Sequence, residues 1–256
     1  MLRKSVERNV LAQFLANELQ VARFRDYCPN GLQVEGRREI KRIISGVTAC
    51  QALLDEAVRL QADAILVHHG YFWRGEDMRV VGQKFQRLKT LIENGISLFA
   101  YHLPLDSHPT MGNNAQLAQL FGLEVTGRFG EDDLGWLGKW TGKKGVATAG
   151  DIASHVSSKL GREALLIGET DQAVTTIAWC SGAAQNMLNA AIEAGASIYI
   201  SGEISEPTVH LARESEVPYL ACGHHASERY GVRALGQFVA EQFGIEHRFV
   251  DIDNPV

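Results

Sequence analysis

The sequence has few cysteines, no long hydrophobic run and no excess of basic residues. Its four cysteines are far apart and form no C-x-x-C pair, which weighs against a zinc ribbon or a disulfide scaffold. No stretch reaches the ~18 uncharged apolar residues that a membrane helix needs. The charged start MLRKSVERNV does not have the pattern of a secretory signal. We therefore expect a cytoplasmic protein without membrane contact, whose cysteines are reduced and mostly buried.

Net charge and chain length exclude further classes of protein. The 25 Lys and Arg against 30 Asp and Glu give a net charge of −5 at pH 7, which argues against nucleic acid as the main partner. The one dense basic run, at residues 37–42, is better explained as a solvated entry to a strand. The 256 residues, 45% of them hydrophobic, suffice for one large or two modest domains and exclude a disordered chain.

Several catalytic motifs are also missing. There is no G-x-x-x-x-G-K-[ST] phosphate loop, no G-x-G-x-x-G after a strand, no H-E-x-x-H and no G-x-S-x-G elbow. A nucleophile built from Cys222 and a neighbouring histidine is disfavoured, because this cysteine lies inside a predicted apolar strand. What the sequence does have is histidine: there are nine, and five of them form three clusters, at His68-His69, His102 and His224-His225.

Strand and helix patterns alternate along most of the chain. Apolar, β-branched runs predict strands at 40–47, 64–69, 96–101, 177–179, 197–201 and 218–222. Helical spacing predicts helices near 5–19, 51–60, 86–94, 113–121, 185–194 and 206–214. The glycine-rich region 122–171 predicts hairpin strands followed by a helix near Asp151, and it is the best candidate for a bridging region. This alternation predicts an α/β fold.

An internal repeat indicates how the alternating strands and helices are divided into domains. The helix-strand segment 51–66 aligns with 185–200 at an offset of 134 residues. Chance similarity of two helix-strand units is the alternative, and the matching order and ends favour a duplication. We therefore predict a three-layer fold of two similar, interlinked α/β domains, the first at 1–125 and the second, with the bridging region, at 126–256. The C-terminal segment is a candidate to pack on the first domain.

The polar clusters follow predicted strands, at the ends where ligands gather in open α/β sheets. Imidazole and carboxylate bind divalent transition metals without thiolate, and a carboxylate can bridge two ions. The i, i+4 spacing of His224 and Glu228 places both side chains on one face if that segment is helical. The pattern predicts a dinuclear metal site between the two domains. We expect the remaining histidines to include packed or solvated ones at His155, His210 and His247.

Six segments carry a resemblance to a known family. They are YCPNGLQVEG, SGVTACQALLDEAV, ILVHHGYFWRG, YHLPLDSHPTMGNNAQLA, ISGEISEPTVHLARE and GHHASERYGVRAL. They closely resemble the YbgI-type bacterial proteins of the Nif-three-like (NGG-interacting factor three) family, which are widely labelled GTP cyclohydrolase 1 type 2 homologues. The likeness runs from about residue 26 to the end of the chain and is weakest at about 127–172.

The resemblance implies a particular site and assembly. Two divalent metal ions per subunit are implied, with His68, His69, Asp106, His224 and Glu228 as their ligands and the last of these as the bridge. A toroidal homohexamer of two-domain subunits, with the metals facing an internal cavity, is implied as well. The metal stays open among Zn, Fe, Mn, Ni and Co, because histidine and carboxylate ligands accept each of them.

From the residues and the resemblance together we expect a metal-dependent hydrolase of a small nucleotide-like or heterocyclic substrate. His102, Glu203 and His225 are candidates for proton transfer or for orienting the ligands. One alternative is a non-enzymatic hexameric scaffold or regulatory protein that binds protein partners. A metal chaperone or storage protein is a second alternative. A ring that threads DNA is a third, which the net charge disfavours.

Overall fold

The computed structural model describes residues 4–142 and 145–256, and the chain divides into two compact units. Unit 1 comprises the residues up to Gly112 together with Gly231–Asp253. Unit 2 comprises Asn113–Tyr230 and Asn254–Val256. Each unit contains one large mixed sheet and its own hydrophobic core.

Strands and helices alternate along most of the described ranges. The strands are β1 (Val6–Glu7), β2 (Gly31–Val34), β3 (Glu39–Ile40), β4 (Arg42–Thr48), β5 (Ala64–His69), β6 (Ser97–Ala100), β7 (Leu123–Phe129), β8 (Gly135–Trp140), β9 (Ala147–Thr148), β10 (Leu165–Ile167), β11 (Ala173–Val174), β12 (Ile177–Cys180), β13 (Ile198–Ser201), β14 (Tyr219–Ala221) and β15 (Glu246–Phe249). The α-helices are α1 (Arg8–Glu18), α2 (Gln51–Arg59), α3 (Gly82–Asn94), α4 (Leu103–Asp106), α5 (Asn113–Phe121), α6 (Ala149–Leu160), α7 (Leu188–Glu193), α8 (Glu206–Glu214) and α9 (His224–Phe243).

Most of the predicted elements are confirmed, with ends shifted by a few residues. The bridging region forms the antiparallel pair β7 and β8, and α6 follows it from Ala149. The lysines at 143 and 144 of that region lie outside the described residues. Strand β15 was not predicted, because its sequence EHRF has no apolar run. In the structure this strand is only half-buried.

Unit 1 is built on a five-stranded sheet in the order β15-β4-β5-β6-β2. Its first four strands are parallel, and β2 runs antiparallel to β6 at the edge. Because successive side chains of a strand face opposite sides, Ile43 joins the core with α1 and α9, while Ile44 packs with α2 and α3. The register pairs Thr48 with His69, so the carboxyl ends of β4 and β5 meet at the same edge of the sheet.

Unit 2 is built on a six-stranded sheet in the order β10-β14-β13-β12-β8-β7. Here β12, β13 and β14 are parallel, and the outer strands are antiparallel. Trp179 packs with α5 and α6 on one face, and Tyr199 packs with α7 and α8 on the other. The register pairs Ser201 with Cys180 on one side and with Ala221 on the other, which aligns the three strand ends. The α/β class is thus confirmed, with helices on both faces of each sheet.

Helix α9 starts directly after β14. Gly223, at φ +100°, makes the turn between them, a backbone conformation that glycine adopts without strain. The helix that the i, i+4 spacing of His224 and Glu228 requires is therefore present. None of the helices in the described ranges has both the length and the apolar composition to cross a membrane.

His247 of β15 gives unit 1 a pH-dependent stability. Its Nε2 lies 2.7 Å from Oγ of Ser45, and burial, together with the charge of Arg233, lowers its pKa from 6.5 to about 4. The unfolded chain therefore binds a proton near pH 6.5 and the folded chain only near pH 4, so this stability is complete above pH 6.5 and is lost as the pH falls toward 4. We expect the free energy of unfolding to fall by about 1–2 kcal/mol between pH 7 and pH 5 from this group. Urea unfolding at both pH values measures it, and an equal fall in His247→Gln would contradict the assignment.

Candidate metal centre

Three histidines of unit 1 lie together at the carboxyl ends of β5 and β6. His68 and His69 end β5, and His102 follows β6. One ring nitrogen of each lies within 4.8 Å of the others. The parallel register, which pairs Val67 with Ala100, brings the two strand ends side by side. The structure therefore brings together three imidazoles that are separated in the sequence.

Each of these rings points its Nδ1 at an oxygen of the protein. The three contacts are 2.9 Å from His68 to the carbonyl oxygen of Tyr101, 3.1 Å from His69 to Oγ1 of Thr48, and 2.8 Å from His102 to Oδ1 of Asp26. A carbonyl oxygen can only accept, so His68 donates from Nδ1 and its neutral ring keeps the lone pair on Nε2. This is the arrangement that holds a metal-binding histidine in the correct tautomer.

Asp106 adds a buried carboxylate to the three histidines. It ends α4, a single turn that begins directly after His102 and has Pro104 in its first turn. Oδ2 of Asp106 lies 3.5 Å from Nε2 of His68, and the two side chains are 10% and 0% exposed. Unit 1 therefore supplies imidazole and carboxylate donors in one buried location.

In unit 2, His224 lies between two carboxylates. Its Nε2 is 3.1 Å from Oε2 of Glu228, and its Nδ1 is 2.6 Å from Oε1 of Glu203. Glu228 is buried, and its place one turn along α9 puts it on the same face as His224. Burial lowers the pKa of His224, but the two carboxylates outweigh it and raise the pKa to about 9. The negative surroundings of this ring favour a cation.

Gly182 makes room for the donors of unit 2. It has φ +68°, and a Cβ there would collide with Oε1 of Glu228 and come within 3.2 Å of Nε2 of His224. Its N–H donates to Oγ of Ser227 at 3.0 Å, and its carbonyl oxygen accepts from the N–H of Gly202 at 2.9 Å. The loop after β12 can approach the carboxylate this closely only with glycine at this position.

The other candidates have different surroundings. His225 is buried, and its backbone N–H donates to the carbonyl oxygen of Val256 at 2.9 Å. Cys222 is also buried, and burial raises its pKa to about 12, so the thiol stays protonated and is a poor nucleophile at neutral pH. His155 contacts a backbone carbonyl oxygen and His210 a surface glutamate, as expected of packed or solvated histidines.

Three residues around these donors were not predicted from the sequence. Asp26 belongs to a turn segment, DYCPNG, and no charge pattern connects it with a histidine. Thr48 ends β4, and its place directly after the predicted strand 40–47 is the signal that could have indicated it. Gly182 follows β12 in the sequence Ser-Gly, which carries no motif of its own.

The donor groups fit divalent metal ions. They are imidazole and carboxylate, they are buried or half-buried, and the rings are oriented by contacts at Nδ1. In unit 1 the group is His68, His69 and His102 with Asp106 beside them, and in unit 2 it is His224 with Glu228. Buried His, Asp and Glu groups of this kind can hold metal ions.

The chain is similar to known proteins over nearly its whole length. It is 54% identical over 243 residues to a Pseudomonas aeruginosa protein named GTP cyclohydrolase 1 type 2 homolog, covering 93% of this chain and 94% of that protein. An Escherichia coli K12 protein of the same name is 47% identical over 247 residues, covering 96% and 98%.

Solved structures share the fold. One, described as protein ybgI of unknown function, has a TM-score of 0.92 at 45% identity and covers 98% of this chain and 100% of that one. A protein from Thermus thermophilus has a TM-score of 0.83 at 30% identity, with coverage of 98% and 100%. The family model described as Duf34/NIF3 (NGG1p interacting factor 3) matches residues 6–255. The resemblance drawn from the sequence motifs is thereby confirmed, and the chain belongs to the Duf34/NIF3 family.

Proposed function

We propose that the protein is a dinuclear metal-dependent hydrolase that acts on a small nucleotide-like or heterocyclic substrate. The observation that carries the proposal is that imidazole lies beside a buried carboxylate at the carboxyl ends of parallel strands in both units, three rings in unit 1 and one in unit 2. The name of the relatives, GTP cyclohydrolase 1 type 2 homolog, supports a nucleotide-like substrate. The acidic net charge does not oppose an anionic substrate, because bound metal ions supply local positive charge.

The proposed ligands come from both units. We assign His68, His69 and Asp106 of unit 1 and His224 and Glu228 of unit 2 as the ligands of the two metal ions. The contacts within each unit support the choice, as does the family to which the chain belongs. A carboxylate can bridge two ions, and Glu228 is our candidate for that role. When bound, two divalent ions of Zn, Fe, Mn, Ni or Co activate water and polarise the bond under attack.

The other polar residues are proposed to orient ligands or move protons. Glu203 accepts a hydrogen bond from Nδ1 of His224, which fixes the proton there and leaves Nε2 for a ligand role. His102 lies beside the histidines of unit 1 and is our candidate for proton transfer. His225 follows a proposed ligand directly in α9 and is a second candidate for that role.

We also infer that the two units are related by duplication. Each contains three parallel strands in sequential order, β4-β5-β6 and β12-β13-β14, with helices on both faces of the sheet. The offset of 134 residues makes Glu203 the counterpart of His69. Both residues lie at or just beyond the carboxyl end of the middle strand of the three. Duplication of one three-layer unit would place polar residues at equivalent strand ends in both units.

Turnover of a panel of nucleotides and phosphoesters, with GTP among them, tests the proposed function. The protein is stripped with a chelator and reloaded with each metal in turn. We expect hydrolysis of one substrate class by the reloaded protein and none by the double variant His68→Ala/Glu228→Ala. Activity that survives in the double variant would rule out the dinuclear mechanism.

A scaffold that binds protein partners is the second candidate function. The family description, NGG1p interacting factor 3, supports it. We propose a homohexameric ring for either function, which sedimentation of the purified protein tests. Bound metal without turnover of any substrate in the panel would favour the scaffold.

Replacing Glu203 by glutamine is expected to weaken metal binding without abolishing it. Glutamine keeps the length of the side chain but removes the charge that holds the proton on Nδ1 of His224. The Glu203 side chain is 32% exposed, so water replaces part of the contact. We therefore expect a loss of affinity of about tenfold, the lower end for such orienting residues. Calorimetric titration with Zn²⁺ measures it. Glu206→Gln changes a surface carboxylate of the same unit and is the control; an equal affinity in both variants would remove the role of Glu203.

A further inference from the structure

The segment before β2 holds a carboxylate that belongs with the histidines of unit 1. As an extension that rests on the proposed function, we propose that Asp26 is the positioning residue of His102. Its carboxylate keeps the proton of the ring on Nδ1 and leaves Nε2 as the hydrogen-bond acceptor of a ring that lies beside His68 and His69. Asp26 and His102 then form a pair that can accept a proton beside the proposed metal ligands.

The geometry fixes the ring of His102 on two sides. Nδ1 lies 2.8 Å from Oδ1 of Asp26, whose side chain is only 3% exposed. The indole of Trp73 packs edge-on to the imidazole, with centroids 5.0 Å apart and planes at 85°. Trp73 is itself held by a hydrogen bond from its Nε1 to the carbonyl oxygen of Gly70. The rings of His68 and His69 are close to that of His102, with centroids 5.0 and 5.8 Å away.

The carboxylate of Asp26 has a full set of donors. Oδ1 accepts from the N–H of Tyr27 at 2.6 Å as well as facing His102, and Oδ2 accepts from Nδ2 of Asn30 at 2.8 Å and from the N–H of Leu103 at 2.9 Å. Burial raises the pKa of Asp26, but the hydrogen bond and charge of His102, with the other donors, outweigh it and lower the pKa to about 2. An ionised carboxylate only accepts, so His102 must donate from Nδ1.

A metal site made of Asp26, Cys28 and His102 is the competing explanation, because one ligand atom from each lies within 4.8 Å of the others. The occupied oxygens argue against it, since two donors already lie at each oxygen of the carboxylate. The contacts of the Asp26 carboxylate therefore favour a role in positioning the ring of His102.

The tautomer decides what His102 can do. With the proton on Nδ1, the neutral ring accepts a hydrogen bond or a proton at Nε2 from a group held next to His68 and His69. A proton taken up there leaves the imidazole positively charged, and the negative charge of Asp26 balances it. With the proton on Nε2, the ring would instead present a donor and could take up no proton at that atom.

Asp26→Asn is expected to reverse the tautomer. The amide has one oxygen and one NH₂ group. The place of Oδ2 faces two donors, from Asn30 and Leu103, whereas the place of Oδ1 faces one backbone donor, the N–H of Tyr27, besides His102. The NH₂ group therefore takes the place of Oδ1, where His102 is the neighbour that can change from donor to acceptor. The ring then accepts at Nδ1 and carries its proton on Nε2.

Magic-angle-spinning NMR of protein labelled with ¹⁵N-histidine tests the proposal directly, on metal-free full-length protein at pH 8. The His102 signals are identified by their loss in His102→Gln. We expect a proton on Nδ1 alone in the natural protein and on Nε2 alone in Asp26→Asn. Asn30→Ala is the control. It removes the hydrogen bond from the backbone N–H of His102 to Oδ1 of Asn30 and the one from Nδ2 of Asn30 to Oδ2 of Asp26, but it leaves the contact between Oδ1 of Asp26 and Nδ1 of His102. It should lower the melting temperature and keep the tautomer of the natural protein.

Two results would overturn the proposal. The first is a proton on Nε2 of His102 in the natural protein. The second is an unchanged tautomer in Asp26→Asn. Metal content, measured by mass spectrometry on reloaded protein, separates this proposal from the proposed function. Asp26→Asn should hold as much metal as the natural protein, since neither Asp26 nor His102 is a proposed ligand. If the proposed dinuclear centre is wrong, His68→Ala will also hold as much metal as the natural protein.

Discussion

Replacing His68 by alanine is expected to lower the affinity for divalent metal by more than about 100-fold. The residue is fully buried, its Nδ1 is fixed by the carbonyl oxygen of Tyr101, and its Nε2 lies 3.5 Å from Oδ2 of Asp106. Loss of a residue that orients a ligand costs about 10–100-fold in metal affinity, and loss of the ligand itself should exceed this. Calorimetric titration of chelator-treated protein with Zn²⁺ and Mn²⁺ measures the affinity.

A second variant separates metal loss from misfolding. Alanine leaves a cavity and an unsatisfied carbonyl oxygen at Tyr101, which destabilise the fold independently of metal. His68→Asn keeps an amide donor at the place of Nδ1 and removes Nε2. We expect it to melt closer to the natural protein and to bind metal as weakly as His68→Ala. His210→Ala, on the surface of unit 2, should bind normally. A folded His68→Asn protein with full affinity would show that Nε2 of His68 is not a ligand.

The architecture and much of the candidate site could be predicted because they depend on local patterns. Strand β5 is an apolar, partly β-branched run that ends in two histidines, and the strands on either side of it have the same apolar character. Parallel strands align their carboxyl ends, so residues that follow different strands come together without any knowledge of loops. That rule alone places His69 and His102 side by side, as the structure does.

What was missed depends on contacts between distant parts of the chain. Asp26 meets a residue 76 positions later, and β15 pairs with a strand about 200 positions earlier, held in part by the ion pair of Arg42 with Glu246. The sequence pattern of neither segment indicates what it pairs with. The segment around Asp26 resembles an ordinary turn, and β15 is a short, charged strand. A turn motif and a charge pattern describe a segment by itself, whereas these roles arise only when a second segment packs against it.

Gly182 belongs to the same class of missed residues, and its replacement by alanine is expected to reduce metal affinity by about 100-fold, at the upper end for residues around a metal site. A Cβ at this position would displace the carboxylate of Glu228 and crowd Nε2 of His224. The left-handed backbone, at φ +68°, adds a cost of about 1–2 kcal/mol for any residue with a Cβ. We therefore expect both lower stability and weaker binding, measured by urea unfolding and by calorimetric titration with Zn²⁺.

Gly195→Ala is the matched control for the backbone cost. This glycine also lies in unit 2 with a positive φ, +85°, but a Cβ there would meet no atom within 4 Å. The control should therefore lose stability by about 1–2 kcal/mol and keep the metal affinity of the natural protein. The difference in affinity between the two variants then isolates the collision with Glu228. Should Gly182→Ala bind Zn²⁺ as tightly as Gly195→Ala, the carboxylate of Glu228 would not be holding the metal, and the proposed ligand set would lose its bridging member.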